Sequence, residues 1–164
     1  GLNGSYNDAL DDLDMDGIPN LSEFILSLNA TDASDGNLDP DNDGLTNTEE
    51  YLIGTNITNK DTDGDLIPDG WEVNIGLNPT LNDSTDDMDG DELSNLFEYQ
   101  NGFNPNNQDT DGDGIGDTAD KFPYNRTEQY DNDEDGIGDT ADVDDDNDGG
   151  NDVDDQDPPQ PLDN

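Results

Sequence analysis

The feature that most constrains this chain is a register of acids. The pattern Asp-x-Asp-x-Asp has seven non-overlapping starts, at Asp12, Asp39, Asp61, Asp87, Asp109, Asp131 and Asp144. With each start numbered as loop position 1, position 3 is Asp14, Asp41, Asp63, Asp89, Asp111, Asp133 and Asp146. Position 5 is Asp16, Asp43, Asp65, Asp91, Asp113, Asp135 and Asp148. Positions that the pattern did not select agree as well. Position 12 is Glu23, Glu50, Glu72, Glu98, Asp120, Asp142 and Asp155, an acid every time. Position 9 is Asn20, Asn47, Asp69, Asn95, Asp117, Asp139 and Asp152, a side-chain oxygen every time. The starts are spaced by 27, 22, 26, 22, 22 and 13 residues, so the chain reads as a tandem array and not as one hydrophobic-core domain.

Composition sharpens this reading. The 164 residues carry 46 acids against 3 Lys and Arg, a formal charge of −43, with 26% hydrophobic residues and a mean hydropathy of −1.10. Such a chain buries too little apolar surface to offset roughly 1.5 kcal/mol of ordering entropy per residue, and by composition alone it is disordered. Yet 32 of the 46 acids fall on positions 1, 3, 5, 9 and 12. A solvated acidic tract would scatter its charge without register. No basic stripe is available for phosphates, which argues against nucleic acid as a partner. No apolar run approaches the ~18 residues of a spanning helix, which argues against membrane insertion. Without Cys or His, disulfides, thiolate zinc sites and the usual general base are excluded. Carboxylate pairs are abundant, but the register accounts for them and no nucleophile–base–orienter set stands out, so a non-enzymatic protein is expected.

Offsets 1, 3, 5, 9 and 12 are those of a calcium loop in which alternate side chains of a tightly curled segment point inward, a carbonyl at position 7 adds an oxygen and the acid at 12 closes the shell. Many-carboxylate, all-oxygen sites suit Ca²⁺ better than Mg²⁺ or zinc, and about seven Ca²⁺ sites are expected. Gly17, Gly44, Gly114, Gly136 and Gly149 stand at position 6, where the sharp turn falls. Leu66 and Glu92 replace glycine in the third and fourth loops, where a distorted turn or weaker binding is expected.

After each of the first four loops comes a short amphipathic stretch: 24–28, 50–53, 71–75 and 97–100. Thr46 and Ser94 sit where an N-cap belongs, Thr46 with Glu49 fits a capping box, and Pro19 and Pro68 suit a first turn. Gly54, Gly76 and Gly102 mark the stops. Apolar residues recur at position 7 (Ile18, Leu45, Ile67, Leu93) and position 13 (Phe24, Tyr51, Val73, Tyr99), where each repeat is expected to pack on its neighbour. The last three loops lose the helix signal. The expected fold is therefore a mostly irregular, calcium-stapled repeat array, elongated or wrapped, with little hydrophobic core. Short two-turn helices follow the first four loops, and almost no regular structure follows the last three. Its parts are a tail of a preceding repeat (1–11) and four loop-plus-helix repeats over 12–108 (12–38, 39–60, 61–86, 87–108). Three further loops over 109–157 (109–130, 131–143, 144–157) and a Pro-rich linker (158–164) complete it.

The run Asp109-Thr-Asp-Gly-Asp-Gly-Ile-Gly-Asp-Thr-Ala-Asp120-Lys-Phe-Pro, followed by 131–148, resembles thrombospondin type 3 repeats in a cysteine-free prokaryotic form. The helical repeats, with Asp61-Thr-Asp-Gly-Asp, Trp71-Glu72 and Gly76-Leu-Asn-Pro79, resemble the related repeats of bacterial secreted and surface proteins. The resemblance covers nearly all of 12–157. It implies calcium in tandem loops, an ion-dependent rod or cord, and an extracellular or cell-surface location. Animal relatives staple their loops with disulfides, so here stapling falls to ions and to residues such as Phe122, Pro123 and Tyr124. It leads to the expectation of a stalk, spacer or fibre component, with a calcium-dependent adhesion module of dockerin-like helices as the alternative.

Sequons occur at Asn3, Asn20, Asn29, Asn56, Asn82 and Asn125. Asn20 is read as a ligand, and Asn3, Asn29, Asn56, Asn82 and Asn125 as candidates for N-linked glycans. Gly1-Leu-Asn-Gly-Ser5 matches the repeat tail Gly54-Thr-Asn-Ile-Thr58, which points to continuation of a longer array or to self-assembly into a fibre.

Overall fold

A computed structural model describes residues 11–147 and Gly149. Asn3 and the last loop's Asp148, Asp152 and Asp155 lie outside the described residues. Among the described residues the regular elements are four seven-residue helices, α1 (Asn20–Leu26), α2 (Asn47–Ile53), α3 (Asp69–Ile75) and α4 (Asn95–Asn101), with one 3-10 turn at Asp35–Asn37 and no strand. Seven residues are too few for a helix to hold by itself in water. Each is instead welded to the loop before it.

The weld is at position 9. This residue opens every helix, two to four residues earlier than the amphipathic pattern places the start. Its backbone N–H is already bonded to the carbonyl just before the loop: Asn20 to Asp11 (2.8 Å), Asn47 to Leu38 (2.8 Å) and Asp69 to Lys60 (2.9 Å). The first turn thus forms inside the loop, where hydrophobic periodicity gives no signal. Position 8 is the N-cap. Thr46 there forms the expected capping box with Glu49, and the Ser94 hydroxyl accepts from the Phe97 N–H. Pro19 and Pro68 hold the same extended conformation by ring geometry alone. At the other end, Ser27, Gly54, Gly76 and Gly102 adopt left-handed conformations. The next N–H returns to the position-12 carbonyl, as in Leu28 to Glu23 (2.8 Å) and Leu77 to Glu72 (2.9 Å), closing each helix in a Schellman-type stop.

The loops themselves use two left-handed residues, not one. Position 4 has positive φ in all seven (Met15, Asn42, Gly64, Gly90, Gly112, Glu134, Asn147), as does position 6. The third and fourth loops carry glycine at position 4 and place Leu66 (φ 80°) and Glu92 (φ 77°) at position 6. The turn is not distorted there. The Leu66 N–H still reaches Asp61 Oδ2 at 3.1 Å, as the Gly17 N–H reaches Asp12 Oδ2 at 3.0 Å.

The chain divides into two compact units, Gly1–Asp86 and Asp87–Asn164. The fourth helical repeat therefore belongs with the helix-poor loops, whereas helix content alone divides the sequence at residue 109. The buried apolar core is Ile18, Leu45, Ile57 and Ile67. Position 7 is thus the packing position, whereas position 13 is exposed at Phe24 (76%) and Val73 and half-buried at Tyr51 and Tyr99. Between consecutive repeats the fit is tight: a Cβ on Gly70 would overlap the Asp43 carbonyl, and the Gly70 N–H donates to Asp43 Oδ2 at 3.2 Å.

Candidate metal centre

Each loop is curled by its own acids. The position-1 carboxylate accepts from the N–H of positions 4 and 6: Met15 (2.7 Å) and Gly17 (3.0 Å) onto Asp12, and Asn42 (2.8 Å) and Gly44 (3.1 Å) onto Asp39. Asp61, Asp87 and Asp109 do the same, and Asp131 receives the Gly136 N–H. One oxygen of position 5 accepts from position 7, as in Ile18 onto Asp16 and Ile115 onto Asp113. These bonds force the side chains of 1, 3 and 5 to converge. The triads Asp12/Asp14/Asp16, Asp39/Asp41/Asp43 and Asp61/Asp63/Asp65 each bring carboxylate oxygens within 4.8 Å of one another.

What remains after those bonds is a set of buried oxygens with no donor. They include position 3 (Asp14, Asp41, Asp63, Asp89, Asp111), the second oxygen of position 5 (Asp16, Asp91, Asp113), position 12 (Glu23, Glu50, Glu72, Glu98), the position-9 Oδ1 of Asn47 and one oxygen of the off-lattice Asp35. All four position-12 glutamates are fully buried. Burial, followed by the neighbouring aspartates, pushes the Glu23 and Glu50 carboxyls up to about 7 and those of Glu72 and Glu98 up to about 8. Burial likewise raises Asp41, Asp63 and Asp89. A buried anion without a donor costs several kcal/mol, and side-chain cations do not compensate here. The ion pair among the described residues, Lys121 with Glu134 at 3.7 Å, is exposed. The donor set is all oxygen and multiply charged, which fits a hard divalent cation.

Position 9 has a task that the spacing did not reveal. Its side chain bonds across the loop to position 2: Asn20 Oδ1 accepts from Leu13 N–H (3.0 Å) and Asp139 from Asn132 N–H (2.8 Å). Asp69 and Asp117 each accept both the N–H and the hydroxyl of Thr62 and Thr110, at 2.8 and 2.6 Å. Asn47 faces Pro40, which has no N–H, and its Nδ2 donates to the Asp35 carbonyl at 2.8 Å. Asn95 is buried at the start of α4. In the helix-free loops the shorter position-12 acids each turn one oxygen to the backbone that follows, Asp120 to Phe122 N–H (2.7 Å) and Asp142 to Asp144 N–H (3.1 Å).

Two acids off the lattice join the clusters. Asp35 lies with Asp16 and Glu23, and Asp83 with Asp65 and Glu72, again within 4.8 Å. Both sit in the extra residues that lengthen the first and third repeats, so the unequal spacing was the signal that could have found them.

The candidate glycan acceptors Asn29, Asn56, Asn82 and Asn125 are exposed. In each, the hydroxyl two residues on donates to the asparagine Oδ1 (Thr31 3.0 Å, Thr58 3.0 Å, Ser84 3.2 Å, Thr127 2.9 Å). Asn78 makes the same turn with Thr80 (2.9 Å) across Pro79, where no sequon exists. Turn chemistry by itself therefore favours a hydroxyl two residues after asparagine at these places.

No family model matches this chain, and no curated protein matches it.

Proposed function

We propose that this protein is a non-enzymatic calcium-binding structural element of a cell surface or secreted assembly, a stalk, spacer or fibre component in which Ca²⁺ takes the place of a hydrophobic core. The observation that carries the reading is the convergence of buried, donorless carboxylate oxygens at positions 3, 5 and 12 in repeat after repeat. Positions 1, 3, 5 and 12 would hold the ion; position 9 would brace the loop in Asn20, Asp69, Asp117 and Asp139, and in Asn47 its buried Oδ1 is left for the ion. If each loop binds with Kd near ~10⁻⁴ M, millimolar calcium adds about 1–1.5 kcal/mol per site, enough across an array to order what composition leaves disordered. The resemblance to thrombospondin type 3 repeats supports the extracellular placement, with glycans on some of the exposed sequons and continuation or self-assembly of the array.

A titration of the full chain with Ca²⁺ in a calorimeter tests the core of this reading. Several ions per chain are expected, with millimolar Mg²⁺ failing to displace them. Absence of calcium uptake would sink it.

One observation favours the interaction-module reading. Leu21, Phe24 and Ile25 present an exposed apolar face on α1. The aromatics of the helical repeats are less exposed: Tyr51, Trp71 and Tyr99 are half-buried, and Phe97 stacks on Phe103 with centroids 6.1 Å apart. If α1 docks a partner or a second copy, F24S/I25S abolishes calcium-dependent association while leaving calcium uptake intact.

A further inference from the structure

We propose that Asn125 carries an N-linked glycan whose first sugar is seated against Tyr124, in the apolar cavity beside the acceptor. The cavity has a volume of about 250 Å³ and is lined by Lys121, Phe122, Pro123, Tyr124 and Asn125 itself. That is smaller than the roughly 300–1,000 Å³ of a site for a drug-sized ligand and suits a single sugar ring. This inference rests on the reading above that some exposed sequons are glycosylated, and it adds a binding site to one of them.

An acceptor and a cavity are separate observations, and here they coincide. Asn125, Arg126 and Thr127 are all exposed, so the whole sequon is open to a transferase. The Asn125 Oδ1 accepts from the Thr127 hydroxyl at 2.9 Å and from its N–H at 3.4 Å, which leaves Nδ2 as the free end of the amide. In the transfer, Nδ2 attacks the anomeric carbon of a glycosyl diphosphate donor. The carbon–oxygen bond to the diphosphate breaks, its electron pair leaves with the diphosphate, and Nδ2 gives up one of its two protons. The new N–C bond then holds the first sugar beside the residues that line the cavity.

Tyr124 is both fixed and bare. Its hydroxyl donates to the Asn101 carbonyl at the end of α4. Its ring packs on Phe103 with centroids 5.4 Å apart, and Phe103 in turn on Phe97. All of these residues lie in the unit Asp87–Asn164. The tyrosine is nevertheless 57% exposed. A ring already immobilised loses little further freedom when something lies on it, and its negative face attracts the polarised C–H bonds of a pyranose.

The other described acceptors have no such surface. No aromatic lies within three residues of Asn29, Asn56 or Asn82, whereas Asn125 has Phe122 and Tyr124. Turn formation does not require them, because Asn29 and Asn56 make the same hydroxyl-to-Oδ1 turn at 3.0 Å without one. Lys121 and Arg126, two of the three basic residues of the chain, bracket the cavity in sequence. They bring N–H donors for sugar oxygens to a surface otherwise crowded with acceptors. A seated sugar would brace residues 121–130, the helix-free connection between the fifth and sixth loops.

The test uses the full calcium-loaded chain, secreted from cells that attach N-linked glycans, as wild type, Y124A, Y124F and N125Q. Glycopeptide mass spectrometry reads which sequons are occupied, and proton NMR reads whether a first sugar lies on an aromatic ring. Asn125 is expected to be occupied, with the ring protons of its first sugar shifted upfield by the ring current. First sugars at Asn29 and Asn56 are expected to keep ordinary shifts. Y124F retains the ring and should retain the upfield shift, and Y124A should lose it. N125Q is expected to melt about 2–4 °C below wild type at fixed calcium, and the same change in a Y124A background to make no difference. A bare Asn125 in a chain glycosylated elsewhere, ordinary shifts at Asn125 in wild type, an upfield shift unchanged in Y124A, or an N125Q loss as large in Y124A as in wild type would each overturn the seat. Glycans on the other sequons would then still stand. A chain without a glycan at any sequon would instead remove the glycan reading beneath it. The wild-type spectrum decides the matter even if Y124A does not fold.

Discussion

Removing calcium is the perturbation whose consequence can be worked most directly from the geometry. Within a triad the carboxylate oxygens lie no more than 4.8 Å apart. At an effective dielectric constant of about 20, each ionised pair then repels by about 3.5 kcal/mol, or about 10 kcal/mol for the three pairs of one triad. A whole domain is stable by roughly 5–15 kcal/mol, and among the described residues the buried apolar core comes down to Ile18, Leu45, Ile57 and Ile67. Repulsion in one or two bare triads is enough to unfold the array. Protons can stand in for part of the missing charge, because burial lifts Glu23 and Glu50 to about 7 and Glu72 and Glu98 to about 8, from an ordinary 4.5. A carboxyl whose pKa is raised by folding favours the folded state below about 4.5 and loses that contribution as pH climbs through 7 to 8. In excess chelator at pH 9 the chain is therefore expected to lose its helical signal and expand towards the roughly 40 Å radius of gyration of an unfolded chain this long. Lowering the pH to 5.5, still in chelator, should restore part of the compaction. Small-angle scattering with circular dichroism reads both. A scattering profile in chelator at pH 9 that superposes on the calcium-loaded one would refute the claim that ions replace the core.

Leu66→Gly should stabilise the calcium-loaded protein by about 0.5–1 kcal/mol, read as a higher melting temperature at fixed calcium. It relieves a left-handed φ of 80° at a side chain already 66% exposed. Gly70→Ala should do the opposite of what alanine usually does in a helix, costing about 2 kcal/mol because the new methyl meets the Asp43 carbonyl; denaturant melts in calcium measure it. Intact mass before and after enzymatic deglycosylation should show glycans confined to sequons such as Asn29, Asn56, Asn82 and Asn125. The Asn78 turn should stay bare, since Pro79 separates it from Thr80. No mass shift on deglycosylation would remove glycans from the functional reading.

The register made most of the site legible, because ligand spacing in a curled loop is a local property. Positions 1, 3, 5 and 12 each have a fixed side-chain direction once two left-handed residues set the curl. The helix stops at Gly54, Gly76 and Gly102 were legible for the same reason, since a left-handed residue and its returning N–H involve only neighbours; Ser27, which takes that place after α1 (φ 66°), carries no such mark in the sequence. The helix starts were not. A helix nucleated by a loop hydrogen bond carries no amphipathic mark in its first turn. Position 13 misleads for a related reason, since in a two-turn helix whose Glu side chain is buried the apolar stripe no longer needs to face inward.

Position 9 shows where local reading runs out. An oxygen donor at the ligand offset is compatible with two destinations, the loop's own ion or the loop's own backbone, and spacing cannot separate them. Thr62 and Thr110 show the second destination, each giving its N–H and its hydroxyl to the two oxygens of Asp69 and Asp117 and tying those acids to the Asn56 and Asn104 N–H groups of the repeats before them. The unequal spacings of 27 and 26 against 22 then acquire a physical meaning. In the long repeats Asp35 and Asp83 lie with the position-5 and position-12 acids, and in the short ones the Asn56 and Asn104 N–H groups lead through Thr62 and Thr110 to Asp69 and Asp117 of the next loop. Deleting 32–36, which shortens the first repeat and removes Asp35, should therefore be tolerated far better with Asn47→Asp than without it. Calcium-dependent melting of the two deletion proteins would read that difference directly. Equal melting would show that the alternation of Asn and Asp at position 9 has nothing to do with repeat length.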